Sequence, residues 1–204
     1  MARKNRVWFP GAVYHIISRG NRRKMIYREE SDYLDFIERL EKVKIKHDLT
    51  IHSICLMTNH FHMLIGTEDV EIWKTMHMLL HPYAADFNRK YILTGHLFEN
   101  RYIGKLIDSD SYFLETSRYI HLNPVKAGIV RRPMDYRYSS CADFLFTGRK
   151  KKTAVSHLVD PSVVLSYFGD NPREKYRLFL RDSSKHEESE MLIQKEMRDD
   201  DGWL

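Results

Sequence analysis

Two short apolar runs, Ile51 to Leu56 and Phe61 to Ile65, flank Thr58-Asn59, and this pattern constrains the fold more than any other in the chain. Runs of this length, broken by a short polar turn, predict an antiparallel hairpin. Side chains alternate across a strand, so on the second arm Phe61 points into a core while His60 and His62 share the opposite face. Two imidazoles on one rigid face are half of a metal site, because neutral imidazole is the commonest protein ligand for a divalent ion. The same alternation arises on any half-buried strand whose polar residues face water, and the spacing alone does not separate the two readings.

The rest of the chain supplies the partners of that hairpin. Val13 to Ser18 is β-branched and aromatic and runs into the turn Arg19-Gly20-Asn21-Arg22, which predicts a first strand. Glu29, Glu30, Ser31 and Asp32 can cap a helix in which Tyr33, Phe36, Ile37, Leu40 and Val43 recur at helical spacing to about His47. A second helix is predicted from Ile72 to Tyr91, kinked at Pro82, with Trp73, Met76, Leu79, Leu80, Tyr83, Ala84 and Phe87 as its core stripe. Arg101 to Ile107 reads as a fourth strand, after which Asp108-Ser109-Asp110-Ser111 caps a helix that should end at Asn123-Pro124. The order βαββαβ plus a final helix predicts an α+β, ferredoxin-like four-stranded antiparallel sheet with helices on one face and the other face open for a site. Beyond Ala142 follow the basic loop Gly148 to Lys152 and short helices between Pro161 and Leu180, with Tyr167, Phe168, Tyr176, Leu178 and Phe179 expected to pack back.

Charge narrows the function. Across 204 residues the net charge is +5, but Arg3 to Arg28 holds eight basic residues and no Asp or Glu. With Trp8, Tyr14 and Tyr27 interleaved, this end suits phosphate contact and base stacking. Arg181 to Asp201 is instead acidic and reads as solvated surface. A hydrophobic fraction of 43% with 30% charged residues fits a globular protein, and no apolar run approaches the roughly 18 residues of a membrane span. No apolar segment follows the basic start, so no secretory signal is expected. Cys55 and Cys141 are the only cysteines, which points to a reducing cytoplasm.

The last predicted helix carries the remaining chemistry. Glu115, Tyr119 and Asn123 fall at i, i+4 and i+8, with Tyr112 on the same face. A tyrosine beside a divalent ion can attack phosphorus through its phenol oxygen, and an amide oxygen one turn away can complete the coordination. The same row also suits a helix face that simply packs on a sheet. His121 points away from it and is expected to be a surface or structural residue.

In these segments the chain resembles the single-tyrosine HUH transposases, in particular the REP-associated tyrosine transposase branch. The segments that carry the resemblance are Pro10-Gly11-Ala12-Val13-Tyr14-His15 with Ser18-Arg19-Gly20-Asn21, Met57-Thr58-Asn59-His60-Phe61-His62, Gly95-His96-Leu97-Phe98 with Asn100-Arg101-Tyr102, and Ser117 through Gly128. They cover roughly residues 3 to 145 in family order. Thr58 stands where the family often has proline, and Tyr138-Ser139-Ser140-Cys141 departs from its usual tryptophan and tyrosine. The resemblance implies Tyr119 as nucleophile and His60, His62 and Asn123 as ligands of Mg²⁺ or Mn²⁺. It implies a single-stranded DNA substrate with a hairpin, cleaved to a 5′-phosphotyrosine and a free 3′-OH that later rejoins strands. DNA contacts are expected from Lys4, Arg6, Arg19, Asn21, Arg22, Arg23, Lys24 and Arg101. Residues 1–145 are then the catalytic domain and 146–204 an extension, in a cytoplasmic protein associated with the nucleoid when bound to DNA. Monomer and homodimer both remain open, as does the use of Tyr119 in cis or in trans. Two rival readings keep the residues and change the chemistry: a DNA or RNA hairpin-binding module that does not cut, and a nuclease in which water is the nucleophile.

Overall fold

The computed structural model describes residues 7–147 and 153–182, so Lys4, Arg6, the basic loop and most of the acidic tail lie outside the described residues. The elements run β1 (Ala12–Arg19), α1 (Glu30–His47), β2 (Thr50–Leu56), β3 (His60–Thr67), α2 (Ile72–Lys90), β4 (Ile103–Leu106), α3 (Asp110–Lys126), α4 (Cys141–Leu145), α5 (Ser162–Ser166) and α6 (Pro172–Arg181). The four strands form one sheet in the order β2-β3-β1-β4, every neighbouring pair antiparallel. This is the predicted α+β plan. No described helix is long and apolar enough to cross a membrane.

Strand alternation divides the molecule into two cores. Phe61, Met63 and Ile65 of β3 join Tyr14 and Ile16 of β1 in the core under α1 and α2, where Phe36 and Leu40 are fully buried. His62 and Leu64 face the other way. The sequence suggests that this second face is open, but α3, α4 and α6 cover it, and Ile120, Phe144, Tyr176 and Leu180 form its core with Leu64. The apolar side of α3 has nowhere else to be buried. On β2 a bulge between Ile51 and Ser53 resets the alternation, so that Ile51 and Ile54 both enter the first core.

Local chemistry fixes the helix ends. The buried Asp32 carboxylate accepts from the amides of Arg28 and Glu29 and receives Lys90 Nζ at 2.6 Å, tying the start of α1 to the end of α2. Three expectations for the helices fail. Trp73 is 52% exposed and so belongs to the wet side of α2 rather than its core stripe, and Leu178 is likewise exposed on α6. α3 runs three residues past Asn123: the Ala127 amide still bonds the Asn123 carbonyl at 2.9 Å, and Gly128, at φ 69°, closes the end.

α3 is held from behind by a buried polar chain. Ser53 Oγ meets Ser117 Oγ at 2.8 Å, Ser117 meets the Tyr176 hydroxyl at 2.9 Å, and that hydroxyl meets His121 Nδ1 at 2.7 Å. His121 Nε2 then reaches Ser140 Oγ at 2.8 Å, and Ser140 accepts from the Ile54 amide. His121 is therefore structural, as one of its two sequence readings held. Arg118, 1% exposed, pairs with Glu115 at 2.6 Å and lies 4.6 Å over the Phe179 ring, clamping α6 to α3. Tyr176→Phe should cost ~1–3 kcal/mol, since it leaves buried groups on Ser117 and His121 without their partner. A fall of that size in the unfolding free energy, from urea titration of both proteins, checks it.

His52, at the β2 bulge, is 6% exposed, and its Nδ1 is buried without a hydrogen bond. Burial lowers its pKa from 6.5 to about 4, against a smaller opposing effect of the Asp160 carboxylate. Below pH 6.5 the unfolded chain binds a proton that the native state refuses, so stability should fall with pH between about 6.5 and 4, by ~1 kcal/mol per unit from this residue. Urea midpoints at pH 7 and pH 5 should therefore diverge more in the parent protein than in His52→Gln.

Candidate active site

Register brings the site together. Arg19 of β1 lies opposite His60 of β3, and Ile17 lies opposite His62, which leaves His15 diagonal to His62 on the same face. The His60 and His62 rings are 5.1 Å apart and perpendicular. His15 and His62 stack at 5.4 Å, with His15 Nε2 3.2 Å from His62 Nδ1. α3 lies across this face and sets the half-buried Tyr119 ring edge-on, 5.4 Å from His62 and 6.1 Å from His15. The predicted nucleophile and both predicted histidines are thus neighbours within one chain.

Asn123 joins them through its amide orientation. Its nitrogen is committed to the Tyr119 carbonyl, which turns its oxygen outward, and the side chain is close enough to His60 to favour the protonated imidazole. Asn59 acts similarly from the hairpin turn. Its Nδ2 donates to the Arg23 carbonyl at 3.0 Å, so the oxygen facing His60 Nδ1 at 2.7 Å can only accept. His60 therefore carries its proton on Nδ1, and its Nε2 lone pair is available.

Burial makes these imidazoles neutral. It lowers His60 to about 4, helped by the Arg19 charge; it lowers His15 to about 3; and it holds His62 well below its ordinary value, helped by its two histidine neighbours. Neutral rings offer lone pairs without proton competition. Among the described residues no group of three or more His, Cys, Asp or Glu side chains gathers to hold a metal. The donor set is two imidazoles and an amide oxygen, which fits one divalent ion whose remaining positions are filled by water or substrate oxygens.

The basic turn borders this site. Gly20 donates to the Asn59 carbonyl at 2.8 Å and Asn21 to the Leu97 carbonyl at 2.8 Å. A Cβ at Gly20 would collide with the Lys24 carbonyl, so glycine is required there. Arg22 and Arg23 follow at φ 55° and 58°, left-handed backbone that costs non-glycine residues energy and is retained where surroundings enforce it. Arg22, Arg23 and Lys24 are exposed, whereas Arg19 is half-buried and paired with Glu99 at 3.0 Å. Arg101 is exposed two residues before Ile103, which pairs with Ile17, so it stands at the same end of the sheet. Glu115 faces Arg118, and Tyr112 is buried in the helix packing.

Sequence reasoning did not single out His15, Asn59 or Lys126, whose Nζ sits 5.0 Å over the Tyr119 ring. Asn59 was within reach, as the residue adjoining the first histidine. Helical spacing put Lys126 two turns from Tyr119, but the predicted stop at Pro124 removed it from the helix.

Residues 9–123 match the model of the IS200-like transposases, and the chain belongs to that family. No curated protein matches it. The fold is similar to that of a REP-associated tyrosine transposase solved bound to a REP hairpin, with a TM-score of 0.59 and 18% identity over 73% of this chain and 93% of that one. A candidate transposase from Deinococcus radiodurans R1 aligns at a TM-score of 0.40 and 19% identity, over 54% of this chain and 89% of that one.

Proposed function

We propose that this protein cleaves and rejoins single-stranded DNA by transesterification through Tyr119, using a divalent metal, Mg²⁺ or Mn²⁺, held by His60, His62 and Asn123. The observation that carries the reading is the convergence of two neutral histidines, an outward amide oxygen and one tyrosine on a single face. The ion supplies charge neutralisation and orientation of the scissile phosphate. The Tyr119 oxygen attacks phosphorus and loses its proton, the bond from phosphorus to the 3′-oxygen breaks, and that oxygen takes up a proton. The product is a 5′-phosphotyrosine with a free 3′-OH. Attack by a 3′-OH on the phosphotyrosine reverses the step and joins strands, so the bond energy is conserved and no nucleotide cofactor is consumed. Lys126, beside the Tyr119 ring, favours the phenolate as it leaves. Tyr119 serves the histidines of its own chain in this reading.

A hairpin-bearing strand is the substrate we favour, because the relative of similar fold was solved on a REP hairpin. Arg22, Arg23, Lys24 and Arg101 contact its phosphates and Arg19 and Asn21 border the cleavage site; the contacts expected of Lys4 and Arg6 fall outside the described residues.

Incubation with Mn²⁺ and a labelled single-stranded hairpin should give an adduct that survives denaturation and is absent in Tyr119→Phe. Cleavage that persists in that variant would favour water as nucleophile, and binding without cleavage in the parent protein would favour a binding module. Replacing Arg22, Arg23 and Lys24 together by alanine should flatten the plot of log affinity against log salt by about 2, at ~0.7 per phosphate contact on single strands. Fluorescence anisotropy from 50 to 300 mM NaCl reads the slope directly.

A further inference from the structure

The two candidate histidine ligands are oriented by unlike neighbours. Asn59 presents only an acceptor to His60, because its nitrogen is taken by the Arg23 carbonyl. His62 instead meets His15, whose Nε2 lies 3.2 Å from its Nδ1. One hydrogen occupies that contact, and either ring can own it. Only if His62 owns it does His62 keep a lone pair on Nε2, the nitrogen left for a metal. His15 is then an acceptor at Nε2 and carries its own proton on Nδ1. That atom is buried and has no hydrogen-bond partner, and the residue is fully shielded from solvent. A buried polar atom left unsatisfied beside a functional cluster calls for an explanation. Packing alone would be met by a leucine or phenylalanine at this place on β1.

We infer that His15 is a positioning residue which accepts the Nδ1 hydrogen of His62 and so fixes the His62 Nε2 lone pair in the metal-binding direction. This inference rests on the metal reading proposed above. His15 does for His62 what the Asn59 amide does for His60, so β1 and the hairpin turn each orient one ligand. Its ring also stacks on His62 and meets the edge of Tyr119 at 6.1 Å, so it fixes the rotation of His62 as well as its tautomer. Outer partners of metal-bound histidines typically change affinity by about 10- to 100-fold when removed.

The tautomer is read in the metal-free protein by nitrogen-15 NMR of the imidazole rings, which distinguishes protonated from bare nitrogens. His62 should be protonated on Nδ1 in the parent protein, and His62 protonated on Nε2 would overturn the inference. Mn²⁺ titration by calorimetry should then show affinity falling about 10- to 100-fold in His15→Leu. His15→Gln should recover most of it, since its amide oxygen can stand where Nε2 stands and accept the same hydrogen. A folded His15→Leu protein with parental Mn²⁺ affinity would also overturn it. If His15→Leu does not fold, the tautomer in the parent protein and the His15→Gln titration still decide. A parent protein that binds no Mn²⁺ would refute the metal reading itself, whereas a wrong His62 tautomer would refute only the role of His15.

Discussion

The antiparallel pairing of β1 with β3 is the interaction on which the site depends. It sets Arg19 against His60 and Ile17 against His62, which brings His15 within hydrogen-bond reach of His62. A slip of one residue would exchange the faces of β3, burying the histidines under α1 and α2 and turning Phe61 and Met63 out of that core toward α3. The apolar core beneath α1 therefore also selects the chemistry above the sheet. Because Phe61, Met63 and Ile65 are all fully buried, the register has little freedom.

α3 needs a second restraint. A helix that brings a nucleophile to a sheet must be fixed in translation and rotation, and apolar packing alone tolerates small shifts. The chain of hydrogen bonds from Ser53 through Ser117, Tyr176 and His121 to Ser140 ties α3 to β2, α4 and α6 at directional contacts. Ser117 and His121 flank Tyr119 in sequence and leave the helix on its far side. Tyr119 is thereby presented to the histidines while its neighbours anchor the opposite face.

The hairpin, the shared face of His60 and His62 and the spacing of Tyr119 and Asn123 were legible in the sequence, because all three follow from local periodicity. The basic turn was legible from composition. His15 was not, since its importance comes from a diagonal across two strands nearly fifty residues apart, and no local pattern encodes that register. Pro124 misled in the other direction: proline normally ends a helix, but here it removes only its own amide from the ladder, the Ala127 amide still reaches the Asn123 carbonyl, and α3 continues to Lys126. Trp73 satisfied a loose helical period, but the buried stripe of α2 runs through Ile72, Met76, Leu79, Tyr83 and Phe87, and Trp73 lies off it.

The family match stops at Asn123, within α3, yet Ser140, Tyr176 and Phe179, which hold that helix, all lie beyond it. The recognisable stretch and the mechanical unit have different lengths. The reacting groups lie inside the matched stretch, and the brace outside it works only while its positions keep hydrogen-bonding groups at the same depth. A graft that moved only the signature into another scaffold would carry the reagents without the vice that holds them.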